Sequence, residues 1–242
     1  AIVNLLNLKA EERAQSILVL DEQGDADKFI TLATRQGLVK KTAVKLYDNI
    51  RQNGIVAISL NKDDELVWGK ITSGEDNIML ISYEGKSIRF SETEVKSSQR
   101  DTKGVRGITL RASDYVIGVE AFPEDPAVLN KTPLLIVTEN GMGKKTLLSQ
   151  YPVQKRSGLG VKVAEVTGRT GKIAAAKLIG PLDENVVIST KEGTTIKLPL
   201  KGNSVPLLTR PTQGVILMKL KETDRVVAVA LVEKEEGGEE KK

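Results

Sequence analysis

One pattern occurs four times in the 242 residues: an apolar run, a Thr or Ser, two polar residues, a glycine, and a basic residue three or four positions later. It reads "ATRQGLVKK" to Lys41, "ISYEGKSIRF" to Phe90, "VTENGMGKK" to Lys145 and "ISTKEGTTIK" to Lys197. The shared glycines, Gly37, Gly85, Gly141 and Gly193, are separated by 48, 56 and 52 residues. A glycine after two polar residues supplies the positive φ of a tight turn, so each copy predicts a β-hairpin. A second signature follows each hairpin. Gly54, Gly104, Gly160 and Gly214 each open an alternating strand, a polar turn and a further apolar strand. The N-terminal "AIVNLLNLKAEERAQSILVL" fits that second template without its glycine, so the chain starts in mid-repeat.

A period of roughly 50 residues carrying four short strands points to a propeller-like ring of blades rather than a helical solenoid. No stretch holds a 3.6-residue apolar period over three turns, and Lys9 to Gln15, the best helix candidate, reads as a polar turn. The expected fold is all-β: about four complete four-stranded repeats plus a leading partial one over residues 1–232. An acidic, disordered tail is expected over 233–242.

Composition excludes much chemistry. There is no Cys and no His, which removes thiolate nucleophiles, disulfides, and the commonest general base and metal ligand. A hydrolase would have to rest on carboxylates such as Asp63 and Asp64 or on a Ser-Lys pair, and those carboxylates fall in a turn of the repeat. No run of 18 apolar residues and no leader is present, so a cytoplasmic protein without membrane contact is expected. The segment around Gly141, Gly143, Lys144, Lys145 and Thr146 looks like a phosphate-binding loop but fails its pattern. Thr138 stands where the first glycine is needed, Lys145 stands where Ser or Thr is needed, and the other repeats have no glycine at the Gly143 position. No cofactor is expected.

What recurs is positive charge. Lys40 and Lys41, Arg89, Lys144 and Lys145, and Lys197 follow the hairpin glycines. Arg51, Arg100, Lys103, Lys155, Arg156 and Arg210 precede the second glycines. The last ten residues hold five Glu and three Lys, a net −2, which leaves +6 on the remaining 232. If the repeats ring an axis, both clusters draw a basic track along one edge. Such a track suits a polyanion, and reversing the charges of Lys40, Lys41, Lys144, Lys145, Lys155 and Arg156 is expected to abolish duplex binding while sparing the fold. Only 3% of the residues are aromatic, which leaves little for a single-strand stacking platform or for a protein-docking patch, the main rival reading.

The segments "TRQGLVKKT", "ITSGEDNIML", "TKGVRGITL", "TENGMGKKT" and "TQGVILMKL" resemble the C-terminal domain of the bacterial DNA gyrase A subunit, from Ala1 to Val232. The topoisomerase IV paralogue, whose domain serves substrate selection, is the close competitor; "AIVNLL" and the acidic tail lean toward gyrase. The resemblance implies a β-pinwheel whose blades exchange strands and whose rim wraps duplex DNA. It also implies partners: the same subunit's cleavage domain and the ATPase (B-type) subunit. The family's catalytic tyrosine lies in another domain, so Tyr47, Tyr83, Tyr115 and Tyr151 are not nucleophiles by this reading, and Tyr47 and Tyr151 read as packing residues. The family heptapeptide Gln-Arg-Arg-Gly-Gly-Lys-Gly is absent, its nearest relative being "QKRSGLG", Gln154 to Gly160. Six blades are usual in the family, so a fragment or a shortened paralogue is expected.

Overall fold

The computed structural model describes residues 15, 17–21, 24–48 and 54–234. Fifteen strands among them make four antiparallel sheets. The first contains β1 (Phe29–Thr34), β2 (Leu38–Ala43), β3 (Leu66–Thr72) and β6 (Val105–Arg106), in the order β3-β1-β2-β6. The second orders β10 (Val161–Lys162), β5 (Lys86–Ser91), β4 (Asn77–Ser82) and β7 (Val116–Phe122). The third orders β11 (Ile173–Leu178), β8 (Pro133–Thr138), β9 (Met142–Leu147) and β14 (Val215–Ile216). The fourth has three strands, β13 (Thr195–Pro199), β12 (Asp183–Thr190) and β15 (Val226–Glu233). Among the described residues the one α-helix is the single turn α1, Pro126–Leu129, so the all-β expectation is met.

The hairpins β1–β2, β4–β5, β8–β9 and β12–β13 sit where the repeat predicts them. In each turn the glycine N–H donates to the Thr or Ser carbonyl three residues back, as in Gly37 to Thr34 and Gly141 to Thr138, both 3.0 Å. Gly37 has φ 81° and Gly141 φ 77°, a region that favours glycine. In the first, second and fourth turns the Thr or Ser hydroxyl braces the turn from the other side. It accepts the N–H after the glycine, from Leu38 to Thr34 and from Lys86 to Ser82, both 3.2 Å.

Strand exchange explains the second glycine. β6, β10 and β14 each pair with the hairpin of the preceding repeat, on β2, β5 and β9. The donated chain passes so close that a Cβ at Gly160 would lie 2.4 Å from the Ser87 carbonyl oxygen. Among the described residues the fourth sheet has three strands because no further repeat donates to β13. β3, β7, β11 and β15 pack in succession where the sheets meet, so they form the inner edge and β6, β10 and β14 the outer one.

Stacking sheets against one another also explains the unbroken apolar runs. A strand's side chains alternate between faces, and here both faces of the middle strands are covered. Ile78 and Leu80 pack toward the first sheet with Ala33 and Val39, while Met79 and Ile81 pack toward the third with Leu134 and Ile136. Leu135 and Val137 face the fourth sheet with Val186 and Ile188. Tyr151 is buried in one of these interfaces and Tyr47 in the small cluster on the outer face of the first sheet.

Candidate nucleic-acid interface

Four of the six cations that follow the hairpin glycines are inside the protein. Lys40, Lys41, Arg89 and Lys144 are 2%, 6%, 4% and 0% exposed, which removes them from the expected surface track. Their chemistry is that of inter-repeat staples. The Lys144 ammonium donates to the carbonyls of Thr209 (2.8 Å) and Arg210 (2.5 Å) and to Thr212 Oγ1 (3.2 Å). Lys40 does the same one repeat pair earlier, donating to the carbonyls of Arg100 (2.7 Å) and Ala57 (2.8 Å) and to Thr42 Oγ1 (2.8 Å). Arg100 and Arg210 each precede their glycine by four residues, so the two lysines clamp the same turn of the donated segment.

One position further on, the cation reaches the turn after the next hairpin. Lys41 donates to the Glu92 carbonyl (3.1 Å) with its carboxylate 3.8 Å away, and Lys145 donates to the Leu200 carbonyl. Arg89 spreads over Asn77 Oδ1, the Tyr151 carbonyl and the Glu124 carboxylate. Lys197, at the same position of the last repeat, is exposed. The donated segment that bridges to Lys41, Arg89 and Lys145 through Ser97, Val153 and Leu207 has no counterpart on β13 among the described residues.

Burial holds the staples' ammonium groups below the ordinary lysine value. Desolvation, with the nearby Arg210 adding to it, brings Lys144 to about 8; desolvation likewise brings Lys40 to about 8, Asp101 opposing and Arg100 assisting. Between pH 8 and 10.5 the native state therefore releases these protons before the unfolded chain does. The unfolded state then binds more protons, so these two groups make stability rise with pH through that window. Thermal melts from about pH 7.5 to 9.5 are expected to show Tm rising, and a Lys40→Met/Lys144→Met pair of changes is expected to flatten the trend.

The cations that precede the second glycines lie on the outer edge. Lys103 and Lys155 are exposed, while Arg100, Arg156 and Arg210 are half-buried. The three arginines form a ladder. Arg156 donates to the Arg106 carbonyl and Arg210 to the Lys162 carbonyl, both at 2.6 Å, and Arg100 to the Val56 carbonyl at 3.4 Å. Each guanidinium thus rests on the carbonyl two residues after the previous repeat's glycine. That bond uses part of a five-donor fork and fixes its position. Arg51 lies outside the described residues.

Two further exposed cations on the same edge, Arg106 and Lys162, fall outside the repeating pattern, each two residues after its glycine. The corresponding residues in the other repeats are Val56 and Ile216, so periodicity carries no signal for them. Among the described residues Lys103, Arg106 and Lys155 form no ion pair, and Lys162 has a solvent-exposed partner in Glu165 at 2.7 Å. Exposed pairs of that kind are worth little and exchange readily.

The acidic turns are structural as well. Asp64 Oδ1 accepts the N–H groups of Gln36 and Glu65, and Asp114 Oδ1 those of Glu84 and Tyr115, all at 2.9 Å. Gly143, of the phosphate-loop lookalike, lies within β9 beneath β14. Of the remaining tyrosines, Tyr83 and Tyr115 stack with ring centroids 4.6 Å apart, and the Arg35 guanidinium covers Tyr115 at 4.0 Å.

Antiparallel sheets that trade edge strands about a shared inner edge, with cations along the outer one, define a strand-exchanging β-propeller. The model of the DNA gyrase C-terminal domain, beta-propeller, matches residues 28–73, 76–123, 132–179 and 184–233, one match per sheet, and the chain belongs to that family. It is 36% identical over 234 residues to the DNA gyrase A subunit of Dehalogenimonas lykanthroporepellens, covering 95% of this chain and 28% of that protein. It is 38% identical over 231 residues to the DNA gyrase A subunit of Escherichia coli K12, covering 96% and 25%. The chain thus spans about a quarter of the length of these curated relatives. In fold it is similar to the C-terminal domain of DNA topoisomerase IV (TM-score 0.84, 23% identity, 96% of this chain and 70% of that one). The DNA gyrase A C-terminal domain gives TM-score 0.74 at 22% identity, over 95% and 74%. Among the described residues no helix is long and apolar enough to cross a membrane.

Proposed function

We propose that this chain binds duplex DNA without sequence preference along its outer edge and bends it, as a non-catalytic part of a gyrase-type topoisomerase. The observation that carries this reading is the placement of Lys103, Arg106, Lys155 and Lys162 on successive donated segments, with Arg100, Arg156 and Arg210 half-exposed between them. A phosphate backbone offers regularly spaced charges, and repeats offer regularly spaced cations. Lys197, exposed on β13, extends the cationic surface onto the fourth sheet. No helix of eight or more residues occurs among the described residues to enter a major groove, which favours backbone contact over base reading.

Bending a 20–30 bp site by 40–90° costs roughly 1–6 kcal/mol, so a row of contacts is required rather than one. Each neutralised phosphate releases condensed counterions. With about 6–10 such contacts, affinity is expected to fall on the order of 10³–10⁵-fold between 50 and 200 mM salt. Gel-shift titrations with a duplex of about 40 bp and mixed sequence measure this, and an affinity insensitive to salt would refute the reading. In the full-length protein this edge would act beside the same subunit's cleavage domain and with the ATPase subunit, in the cytoplasm. A basic outer edge of this kind would equally serve a topoisomerase IV-type subunit.

A further inference from the structure

The three donated segments occupy equivalent places, but they are not equally charged. Outside the arginine ladder, their exposed cations stand at three positions: five residues before the second glycine, one before it and two after it. On the first sheet these positions hold Gln99, Lys103 and Arg106; on the second, Lys155, Leu159 and Lys162. Each of those segments therefore adds two exposed cations to its ladder arginine. On the third sheet the same positions hold Thr209, Gln213 and Ile216, and residues 207–216 include no charged side chain besides Arg210.

Apolar side chains stand there instead. Leu207, Val215 and Ile216 are 53%, 39% and 51% exposed and lie along β9, opposite Lys145, Gly143 and Met142. Arg210 itself is more fully engaged than Arg100. Its Nε donates to the Gln150 carbonyl (3.1 Å) and its Nη1 to the Lys162 carbonyl (2.6 Å), so two of its five donors are spent inside the protein. Among the described residues the Arg100 guanidinium makes one such bond, at 3.4 Å. A phosphate brought against Val215 and Ile216 would lose water from its charge and meet no cation in return, which costs free energy. It would also keep its condensed counterions, so the entropy that drives binding elsewhere is not released there.

We infer that the bent duplex is gripped by the segments donated to the first and second sheets and lifts off the outer edge at the third, because cations are missing there at the positions of Lys103 and Arg106. DNA resists curvature, with a persistence length of about 50 nm, so a curved path is kept only where cations hold it. Where they stop, the duplex runs straight on and leaves the edge. Lys197, on the fourth sheet, stands beyond this break. The inference rests on the proposed duplex binding and sets where the grip ends.

The chain contains no cysteine, so a cysteine introduced at one position carries a photo-crosslinker there alone. Gln99→Cys and Thr209→Cys place it at the same point of the first and third segments, and Leu159→Cys and Gln213→Cys at the same point of the second and third. With the 242-residue chain and the same mixed-sequence duplex, the labels at 99 and 159 are expected to crosslink DNA. Those at 209 and 213 are expected to give only the yield of unlabelled protein. Adding the missing charges, Gln213→Lys with Ile216→Lys, is expected to bring crosslinking to the label at 209. It should also steepen the slope of log affinity against log salt by roughly 1.8, two contacts at about 0.9 each. The neighbouring segments already carry lysine at those two positions, as Lys103 and Lys162, and melting temperatures check that the fold is kept. Labels at 209 and 213 that crosslink as well as their counterparts without the added lysines would overturn the break and leave duplex binding standing. A silent label at 209 in the added-lysine variant would overturn missing charge as its cause. Silent labels at 99 and 159 in a chain that still binds with salt dependence would put the grip elsewhere and overturn the inference too. No crosslink from any label and no salt-dependent binding would overturn duplex binding, and the break with it.

Discussion

A Lys144→Met variant is expected to lose about 2–3 kcal/mol of unfolding free energy, read from urea midpoints, with the slope of the transition unchanged. The reason is the unusual set of partners around its ammonium: two backbone carbonyls and a hydroxyl, with no carboxylate. Methionine fills the same volume and removes the cost of burying a charge, which offsets part of the loss. It supplies no donor, however, and the Arg210 carbonyl is left without this partner at the interface between repeats. Lys144→Glu is a harsher change, since it places a carboxylate against the same oxygens; a loss of about 5 kcal/mol or more is expected, enough to unfold many domains of this size. Lys197→Met provides the control. It occupies the position of Lys145 one repeat later but is exposed, and its change is expected to stay within about 0.5 kcal/mol. Wild-type stability in Lys144→Met together with lost DNA affinity would return Lys144 to the binding surface.

Neutralising Lys103, Arg106, Lys155 and Lys162 together, each to Gln, is expected to produce the largest effect on binding. Each contributes one phosphate contact in the proposed track, and each lost contact flattens the salt dependence by about 0.9. The slope is expected to fall by roughly 3–4, and affinity at about 0.1 M salt on the order of 10³-fold. Thermal stability should stay within about 1 kcal/mol of wild type, because all four side chains are exposed and, among the described residues, only Lys162 of the four is ion-paired. The contrast with Lys144 is the decisive comparison. Changes at the outer edge are expected to alter binding without altering stability, and changes at the staples the reverse. A quadruple variant with the wild-type slope would remove these four residues from the interface.

The hairpins, their turn glycines, the strand count and the all-β class were legible in the sequence because they depend on local rules. A glycine with φ near 80° after two polar residues makes the same turn wherever it occurs. Strand exchange was not legible from spacing, since the partner of β6 lies in a different repeat from its chain neighbours. The recurrence of cations was legible, but half of its meaning was hidden. Lys40 and Lys144 occupy the position held by Ile88 and Ile196 in the alternate repeats, and spacing alone does not tell whether a segment of the next repeat covers it.

By itself, then, the sequence determined a repeated four-stranded unit and a cation at fixed places within it, because turn chemistry and side-chain period act over a few residues. Only the tertiary structure decided which of those cations meet solvent. A lysine on a strand is exposed or enclosed according to whether the next repeat lays a segment across it, and that depends on packing between units separated by a whole repeat of chain.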